Sequence, residues 1–473
     1  MNTELIPTEK IEQLFRELSG IARKHNTPIY AVGGYVRDRL LGLPVGGEID
    51  FVIVGDAMSF ARTLEEALPV RQMVTYPRFG TFMTRYKGFN LEFVNARSES
   101  YQSDSRNPKT EQADLETDLS RRDFTINAMA LDLSGEHFGR LIDRYDGQQD
   151  IREGLIRTPL EPKTTFYDDP LRMMRAIRFA TRFNFRIAPE TWEGIREHAG
   201  RLAIITVERI QDEFNKILMT EKPSVGLNLL DQAGLLRQFL PEAESMKGVE
   251  QRKDFHHKDV FYHTLEVIDN VARSGGRLEL RLAALFHDIA KPRTKRFEEG
   301  TGWTFHGHEV VGERMSKAIM RKLKYSNEAI AFVAKLVRMH LRPMALVSDE
   351  VTDAAIRRLL FLSGNDFHEL MLLCRADITS KNPKRVKKYI GNYDRLMLKI
   401  EEVEERDRLR NFQPPVDGRE IMEVFKIKPG KMIGRAKKFL EEAILDGIVP
   451  NEHDACLAYL KENWERISEN DEQ

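Results

Sequence analysis

Glu48 and Asp50 stand two residues apart in a β-rich run bounded by Gly47 and Gly55. The two-residue period of a strand puts both carboxylates on one face. A further strand candidate, Leu91 to Asn95, carries Glu92 where it can project beside them. Carboxylates converging in this way are the donor set for Mg²⁺ held next to phosphates. Two such ions can polarise an attacking hydroxyl and stabilise a leaving pyrophosphate. Upstream, Gly33-Gly34 joins an apolar strand candidate, Ile29 to Val32, to a helix over Tyr35 to Leu41. Two glycines let backbone approach a bound group closely. The helix start offers unpaired N–H groups to an anion, and Arg37 adds a fixed positive charge. An isolated E-x-D is ordinarily a pair of surface acids, and a lone Gly-Gly turn is often structural. Their succession points to a nucleoside triphosphate held beside a metal.

A second constellation is built on histidine. His263 opens a helix, His287-Asp288 ends the apolar run Leu282 to Phe286, His308 and His340 follow, and Asp377 comes after a helix over Leu370 to Ala376. Imidazoles combined with carboxylates suit divalent transition metals, and an adjacent His-Asp pair can give one ligand to each of two ions. His256, His257 and His306 are weaker candidates, equally suited to hydrogen bonding at the surface.

The elements that must position these groups divide the chain. An opening amphipathic helix carries Ile11, Leu14, Phe15, Leu18 and Ile21, with Thr8 as N-cap and Pro28 as stop. Short strands, Thr81 to Tyr86 among them, mix with helices up to about residue 150. After Gly154 the period becomes helical: Leu171 to Phe183, Val207 to Leu218, Val260 to Val271 and Leu278 to Ala290. The expected divisions are 1–155, 156–246, 247–385 and 386–473, the third ending in the basic run Lys381 to Lys388.

With 473 residues and 41% hydrophobic side chains, a large core is available and whole-chain disorder is excluded. Lys and Arg total 73 against 74 acids, so any nucleic-acid site is a local patch rather than a basic coat. Cys374 and Cys456 cannot form a disulfide framework or a cysteine zinc site. With no leader and no apolar span, a reduced, cytoplasmic protein is expected.

Four segments together carry a family resemblance. They are Gly33-Gly34-x-Val36-Arg37-Asp38 with Glu48-Ile49-Asp50-Phe51; Glu92 to Tyr101; Asp118-Leu-Ser-Arg121-Arg122-Asp123-Phe-Thr-Ile-Asn127; and Asp168-Asp169-Pro170-Leu171-Arg172-Met-Met-Arg175-Ala-Ile-Arg178. In this order they resemble the bacterial class II tRNA nucleotidyltransferases and poly(A) polymerases. The histidine block, with Leu285-Phe286-His287-Asp288-Ile-Ala-Lys291-Pro292, resembles the HD phosphohydrolase domain fused to such enzymes.

The resemblance implies an α+β fold: a polymerase-β-like head with a mixed sheet, then an all-helical body containing an HD domain. It implies addition of C, C and A from CTP and ATP to tRNA 3′ ends. Poly(A) polymerase, a partial CC- or A-adding enzyme, and a hydrolase with a silenced head are the alternatives. Asp169 and Arg172, three apart on a helix, are implied to read the base edges of cytosine and adenine. Arg175, Arg178 and Arg182 continue that face toward phosphates and RNA. Arg122, with Arg121 and Asp123, is implied to meet the triphosphate, and Asn127 the sugar. Glu208, Arg209 and Glu213 match a scaffold helix. One departure stands out: the family's first carboxylate is usually Asp, and Glu48 shifts its oxygens by about an ångström, enough to slow an uncompensated reaction. The tail's basic residues, Lys431, Arg435, Lys437 and Lys438, match segments that hold the tRNA elbow. tRNA, CTP and ATP are the expected partners, the cofactors are Mg²⁺ in the head and a divalent transition metal in the HD block, and the chain is a monomer or homodimer.

Overall fold

The computed structural model describes residues 8–102, 105–250, 259–347, 352–380, 382–407 and 413–469, and it divides into two compact units at Pro241 and Glu242. His256 and His257 lie outside the described residues. Among the described residues no helix is long and apolar enough to cross a membrane.

The first unit is built on a seven-stranded sheet. Its strands are β1 (Ile29–Val32), β2 (Glu48–Ile53), β3 (Arg71–Tyr76), β4 (Thr81–Tyr86), β5 (Phe89–Asn95), β8 (Met129–Asp132) and β9 (Leu141–Asp143). β6 (Arg97–Gln102) and β7 (Ser105–Gln112) pair separately as a hairpin. The sheet order is β3-β4-β5-β2-β1-β8-β9, and β2 with β5 is its parallel pair. One face is covered by the amphipathic helix Thr8–Lys24 and the helix Ala57–Ala67. Phe51, Phe82 and Phe93 stack there at 4.5–4.7 Å, with Phe15 edge-on to Phe51. Rings in these offset and edge-on arrangements interact favourably beyond their area burial. Alternation along β2 sends Ile49 and Phe51 into this core and leaves Glu48 and Asp50 on the other face. That second face carries a smaller apolar cluster, Val32, Val52, Ala96, Leu119 and Ala130.

The helical remainder of this unit includes Leu171–Phe183 and Val207–Leu218, which pack together with Pro223–Gln232. Among the described residues the second unit is helical apart from a small hairpin, Arg296–Glu298 with Gly302–Thr304. Its last segment has its own core around Ile421, Leu440, Ile444 and Leu460.

Several expectations need correction. The helix expected over Leu278 to Ala290 ends at Phe286, and His287 is its C-cap. The boundary set at residue 385 falls inside one continuous helix, Pro383–Asp407. Its basic opening turns are a solvated helix face, which a composition shift does not distinguish from a linker. Asp169 is not on a helix: it is extended, at φ −134°, in the joint between Pro162–Asp168 and Leu171–Phe183. Pro170 disfavours the helical conformation in the residue before it, which is why the chain breaks there.

Candidate functional site

In the first unit, β2 and β5 run in register, so Asp50 stands beside Glu92, while Glu48 pairs with Asn90. Gly33 closes the turn after β1 at φ +66°. A Cβ on it would lie 3.2 Å from Arg122 Nη1 and 3.6 Å from Asp50 Oδ2. The glycine turn, Asp50 and Arg122 therefore meet at one place. Burial raises the Asp50 carboxyl; Arg122 and Arg37 pull the other way, and Glu48 adds to the rise. Glu92 is raised by burial and then by Asp50 and Glu48, with Arg97 opposing. Carboxyls raised by burial, and further by one another, are relieved by a cation, so the oxygen donor set fits a hard divalent ion. The head carboxylates are looser than the histidine cluster, since the ligand triads found within 4.8 Å among the described residues both lie in the second unit.

The arginine-rich motifs form a continuous joint. Arg37 donates to Asp38 at 2.8 Å and to Asn127 Oδ1 at 2.6 Å. It lies 5.0 Å from the rings of both Phe179 and Phe183. Asn127 Nδ2 in turn donates to Asp123 at 2.9 Å. Asp123 is clamped by Arg175 at 2.6 Å, and Arg178 donates to Glu213 at 2.6 Å. Burial would raise the Asp123 carboxyl, but Arg175 and the Asn127 hydrogen bond hold it at about 2. Arg121 and Arg122 both pair with the buried Asp118, and Arg121 also donates to the Arg97 carbonyl.

Four residues of the expected nucleotide-binding set have partners inside the protein. Arg37, Asp123, Asn127 and Arg178 are buried: Arg37, Asn127 and Asp123 bond in a chain that Arg175 closes, and Arg178 pairs with Glu213. Placing polar groups between a sheet and a packed helix demands internal partners. These four accordingly tie the glycine turn to the Leu171–Phe183 helix and to Val207–Leu218. Arg175 is only partly buried and clamps Asp123. Arg182 is more exposed and lies 3.7 Å from Asp38.

Asp169 and Arg172 stand at the start of the Leu171–Phe183 helix. Asp169 accepts from the Leu171 N–H at 3.1 Å and from Arg209 at 3.2 Å. Arg172 is half-buried, and among the described residues its guanidinium makes no side-chain hydrogen bond or ion pair. Among the described residues the Arg172 guanidinium thus has donors to spare, and the Asp169 carboxylate three residues before it is an acceptor. Arg209 was read as scaffold, and it holds the Asp169 carboxylate directly.

In the second unit the helices Val260–Arg273, Leu278–Phe286, His308–Lys322, Asn327–Met339 and Phe367–Ala376, with the residues that follow them, bring six predicted residues together. His263 Nε2 lies 2.8 Å from Asp377 and 3.4 Å from His287 Nε2. His287 Nε2 is 3.2 Å from Asp288, His308 Nε2 is 3.3 Å from it, and His308 and His340 are 3.3 Å apart. Two ligand triads, His263/His287/Asp288 and Asp288/His308/His340, share Asp288. The Nδ1 atoms of His287, His308 and His340 each lie 2.7–2.8 Å from a backbone carbonyl one turn back. Donation to those carbonyls fixes the tautomer and turns Nε2 inward, as in metal-ligating histidines generally.

Burial opposes an imidazolium at His287, yet Asp288 and Asp377 push its pKa up to about 10. Burial would also raise these two carboxyls, and His287, with Lys291 on Asp288 and His263 on Asp377, holds both well below the usual range. Burial and the charge on His287 lower His340 to about 4. A buried acidic pocket that recruits positive charge from its own histidines fits divalent cations. His306 is exposed, 3.6 Å from Glu298. Sequence reading gave no role to Lys291, 2.7 Å from Asp288, or to Thr379, 2.9 Å from His263 Nδ1. Lys291 stands within the His287-Asp288 motif, whereas Thr379 carried no signal. The cluster opens into a cavity of about 1130 Å³.

Three segments of the chain match known protein families. Residues 29–157 match the Poly A polymerase head domain, 184–247 the probable RNA and SrmB-binding site of polymerase A, and 260–381 the HD domain. A Multifunctional CCA protein of Pseudomonas fluorescens is 35% identical over 363 residues, covering 74% of this chain and 84% of that protein. An A-adding tRNA nucleotidyltransferase of Deinococcus radiodurans is 34% identical, covering 72% of this chain and 78% of its own. The Bacillus stearothermophilus CCA-adding enzyme in complex with CTP superposes with a TM-score of 0.69 at 23% identity, covering 98% of this chain and 100% of its own. The Thermotoga maritima CCA-adding enzyme complexed with tRNA gives 0.62 at 25%, covering 97% of each. A nucleotidyltransferase head, a helical body and a fused HD domain occur here in one chain, which belongs to the bacterial tRNA nucleotidyltransferase and poly(A) polymerase family.

Proposed function

We propose that this enzyme adds C, C and A, without a nucleic-acid template, to the 3′ ends of tRNA, using CTP and ATP and releasing pyrophosphate. The observation that carries the reading is the meeting of Gly33, Asp50, Glu92 and Arg122 on one sheet face. Glu48, Asp50 and Glu92 would hold Mg²⁺. When bound, that ion supplies polarisation of the terminal 3′-hydroxyl and neutralises charge on the triphosphate. Gly33 leaves room for phosphate where any side chain would crowd Arg122, and Arg122 offers its charge to the triphosphate. Asp169 accepts from the exocyclic amine that both cytosine and adenine carry, and Arg172 donates to the ring edge. Arg37, Asn127, Asp123 and Arg175 hold this reading pair in register with the glycine turn, so catalysis is mostly positioning and electrostatics. The divisions of the chain follow these tasks: head, helical neck, HD domain and C-terminal tail, with the basic tail helix Lys431–Leu445 toward tRNA. The cytoplasm is the proposed location.

The test is incorporation with purified protein, Mg²⁺ and tRNA transcripts lacking CCA, ending in C, or ending in CC. CTP and ATP are supplied singly and together, with Glu48→Ala and Asp50→Ala as controls. Growth by CCA followed by arrest, lost in both controls, is the expected result. Long A tails would make it a poly(A) polymerase, and A on the CC end alone an A-adding enzyme.

A second reading rests on the triads that share Asp288. We propose that the HD centre hydrolyses phosphate esters, with His263, His287, Asp288, His308, His340 and Asp377 holding divalent transition metal. Metal-dependent phosphate release, lost in His287→Ala with incorporation retained, tests it.

A further inference from the structure

The hairpin 296–304 lies beside the HD centre and places two aromatic side chains in solvent. Phe297 and Trp303 are cross-strand partners, edge to face with centroids 5.3 Å apart. They are 67% and 38% exposed, so both keep ring surface open to solvent. The Lys295 ammonium sits 4.2 Å from the Trp303 ring, and Lys291 lies 5.6 Å from that of Phe305. Trp303 and Phe305 line the same cavity as the histidine–aspartate cluster. Arg342 lines it as well, exposed and without an ion-pair partner among the described residues.

Cations interleaved with accessible rings form the surface on which nucleobases stack while the sugar-phosphate chain is neutralised. A purely apolar partner would have to desolvate Lys295 and Arg342 without replacing their hydration. A phosphate ester lacking an aromatic group would leave Trp303 unused. The cavity, at about 1130 Å³, has room for a nucleotide.

We infer that the Phe297–Trp303 hairpin is the base-recognition platform of the HD centre. The centre takes a nucleoside phosphate: its base stacks on Trp303 and its phosphate meets the histidine–aspartate cluster. Arg342 receives a neighbouring phosphate when the nucleoside ends an RNA chain. The inference rests on the hydrolase reading above. In the reaction a water oxygen bonds to phosphorus and the bond from phosphorus to the ribose oxygen breaks. The ribose oxygen leaves with a proton, giving a hydroxyl and orthophosphate.

The test uses the full chain with Mn²⁺ and three substrates: adenosine 3′-phosphate, an RNA hexamer ending in 3′-phosphate, and glycerol 2-phosphate. Orthophosphate release is read for wild type, Trp303→Ala, Trp303→Phe and Arg342→Ala. Stacking on an aromatic ring is worth about 1–3 kcal/mol per base, so Trp303→Ala should cut the kcat/KM preference for adenosine 3′-phosphate over glycerol 2-phosphate by about 5- to 150-fold. Trp303→Phe should keep most of it, and Arg342→Ala should lower the preference for the hexamer over the mononucleotide. A second readout needs no turnover. The chain has three tryptophans, so Trp192→Phe/Trp464→Phe leaves Trp303 as the sole emitter. Its fluorescence in EDTA should be quenched by adenosine 3′-phosphate and not by glycerol 2-phosphate. An unchanged preference in Trp303→Ala, or no selective quenching, overturns the platform. Absence of phosphate release from every substrate overturns the hydrolase reading instead, and the quenching experiment alone then decides the platform.

Discussion

Asp123→Asn isolates the electrostatic part of the joint between the glycine turn and the Leu171–Phe183 helix. Asp123 is 8% exposed, accepts from Asn127 and Phe124 N–H, and meets Arg175 at 2.6 Å. Its pKa falls from 3.8 to about 2. At roughly 1.4 kcal/mol per pH unit, the ionised carboxylate stabilises the fold by about 2 kcal/mol relative to a neutral group of the same shape. Asparagine is close to that neutral group. Because the folded value is depressed, the stabilisation is fully present well above 3.8 and disappears as the pH falls through about 2. The assay is urea unfolding of wild type and Asp123→Asn, followed by Trp192 with Trp303 and Trp464 replaced by Phe. At pH 7 the variant should lose about 2 kcal/mol, and at pH 3 the gap should shrink to roughly half. A gap below about 0.5 kcal/mol at pH 7, or one that stays constant down to pH 3, would refute the assignment of Asp123 as the charged keystone of the joint.

Four further outcomes follow from the same geometry. Asp50→Asn should abolish CCA incorporation yet raise the unfolding midpoint at pH 7. The raised Asp50 pKa means that its ionised form opposes folding there; equal or lower stability in the variant would contradict this. Because protons compete with the cation at Asp50 and Glu92, the acid limb of the incorporation rate should move to lower pH as Mg²⁺ increases. A limb that stays fixed would place the titration elsewhere. Gly33→Ala forces a side chain to φ +66° against Arg122, with a strain of about 1–3 kcal/mol. Incorporation should fall more than stability, which parallel melting and activity measurements would show. Glu213→Ala leaves Arg178 buried without its carboxylate and should destabilise the protein by about 3–5 kcal/mol, whereas Glu213→Gln, which keeps a hydrogen-bond acceptor, should lose less in the same denaturation experiment.

Much of the site could be read in advance because its signals are local. Strand alternation assigned Glu48 and Asp50 to one face, and β4 was bounded correctly from its β-rich composition. The Leu171–Phe183 and Val207–Leu218 helices were bounded by their apolar period. The polar hairpin β6–β7 and the strands β3, β8 and β9 were missed. Their pairing depends on neighbours far along the chain, as when β8 docks on β1. The fate of the arginines was equally non-local. Nothing in the spacing of Arg175 and Arg178 indicates that one meets Asp123 and the other the buried Glu213.

The sequence by itself determined the inventory: a glycine turn, acids on an alternating strand and the ordered histidines. Residue type and short spacing suffice for these, because backbone period and side-chain chemistry act over a few residues. Only the tertiary structure decided which charged groups find partners inside the protein. It drew Arg37, Asn127, Asp123 and Arg178 inward, and it placed Asp288 between two ligand triads. A charge buried between packed elements must find its partner inside the protein, and that partner can come from any part of the chain.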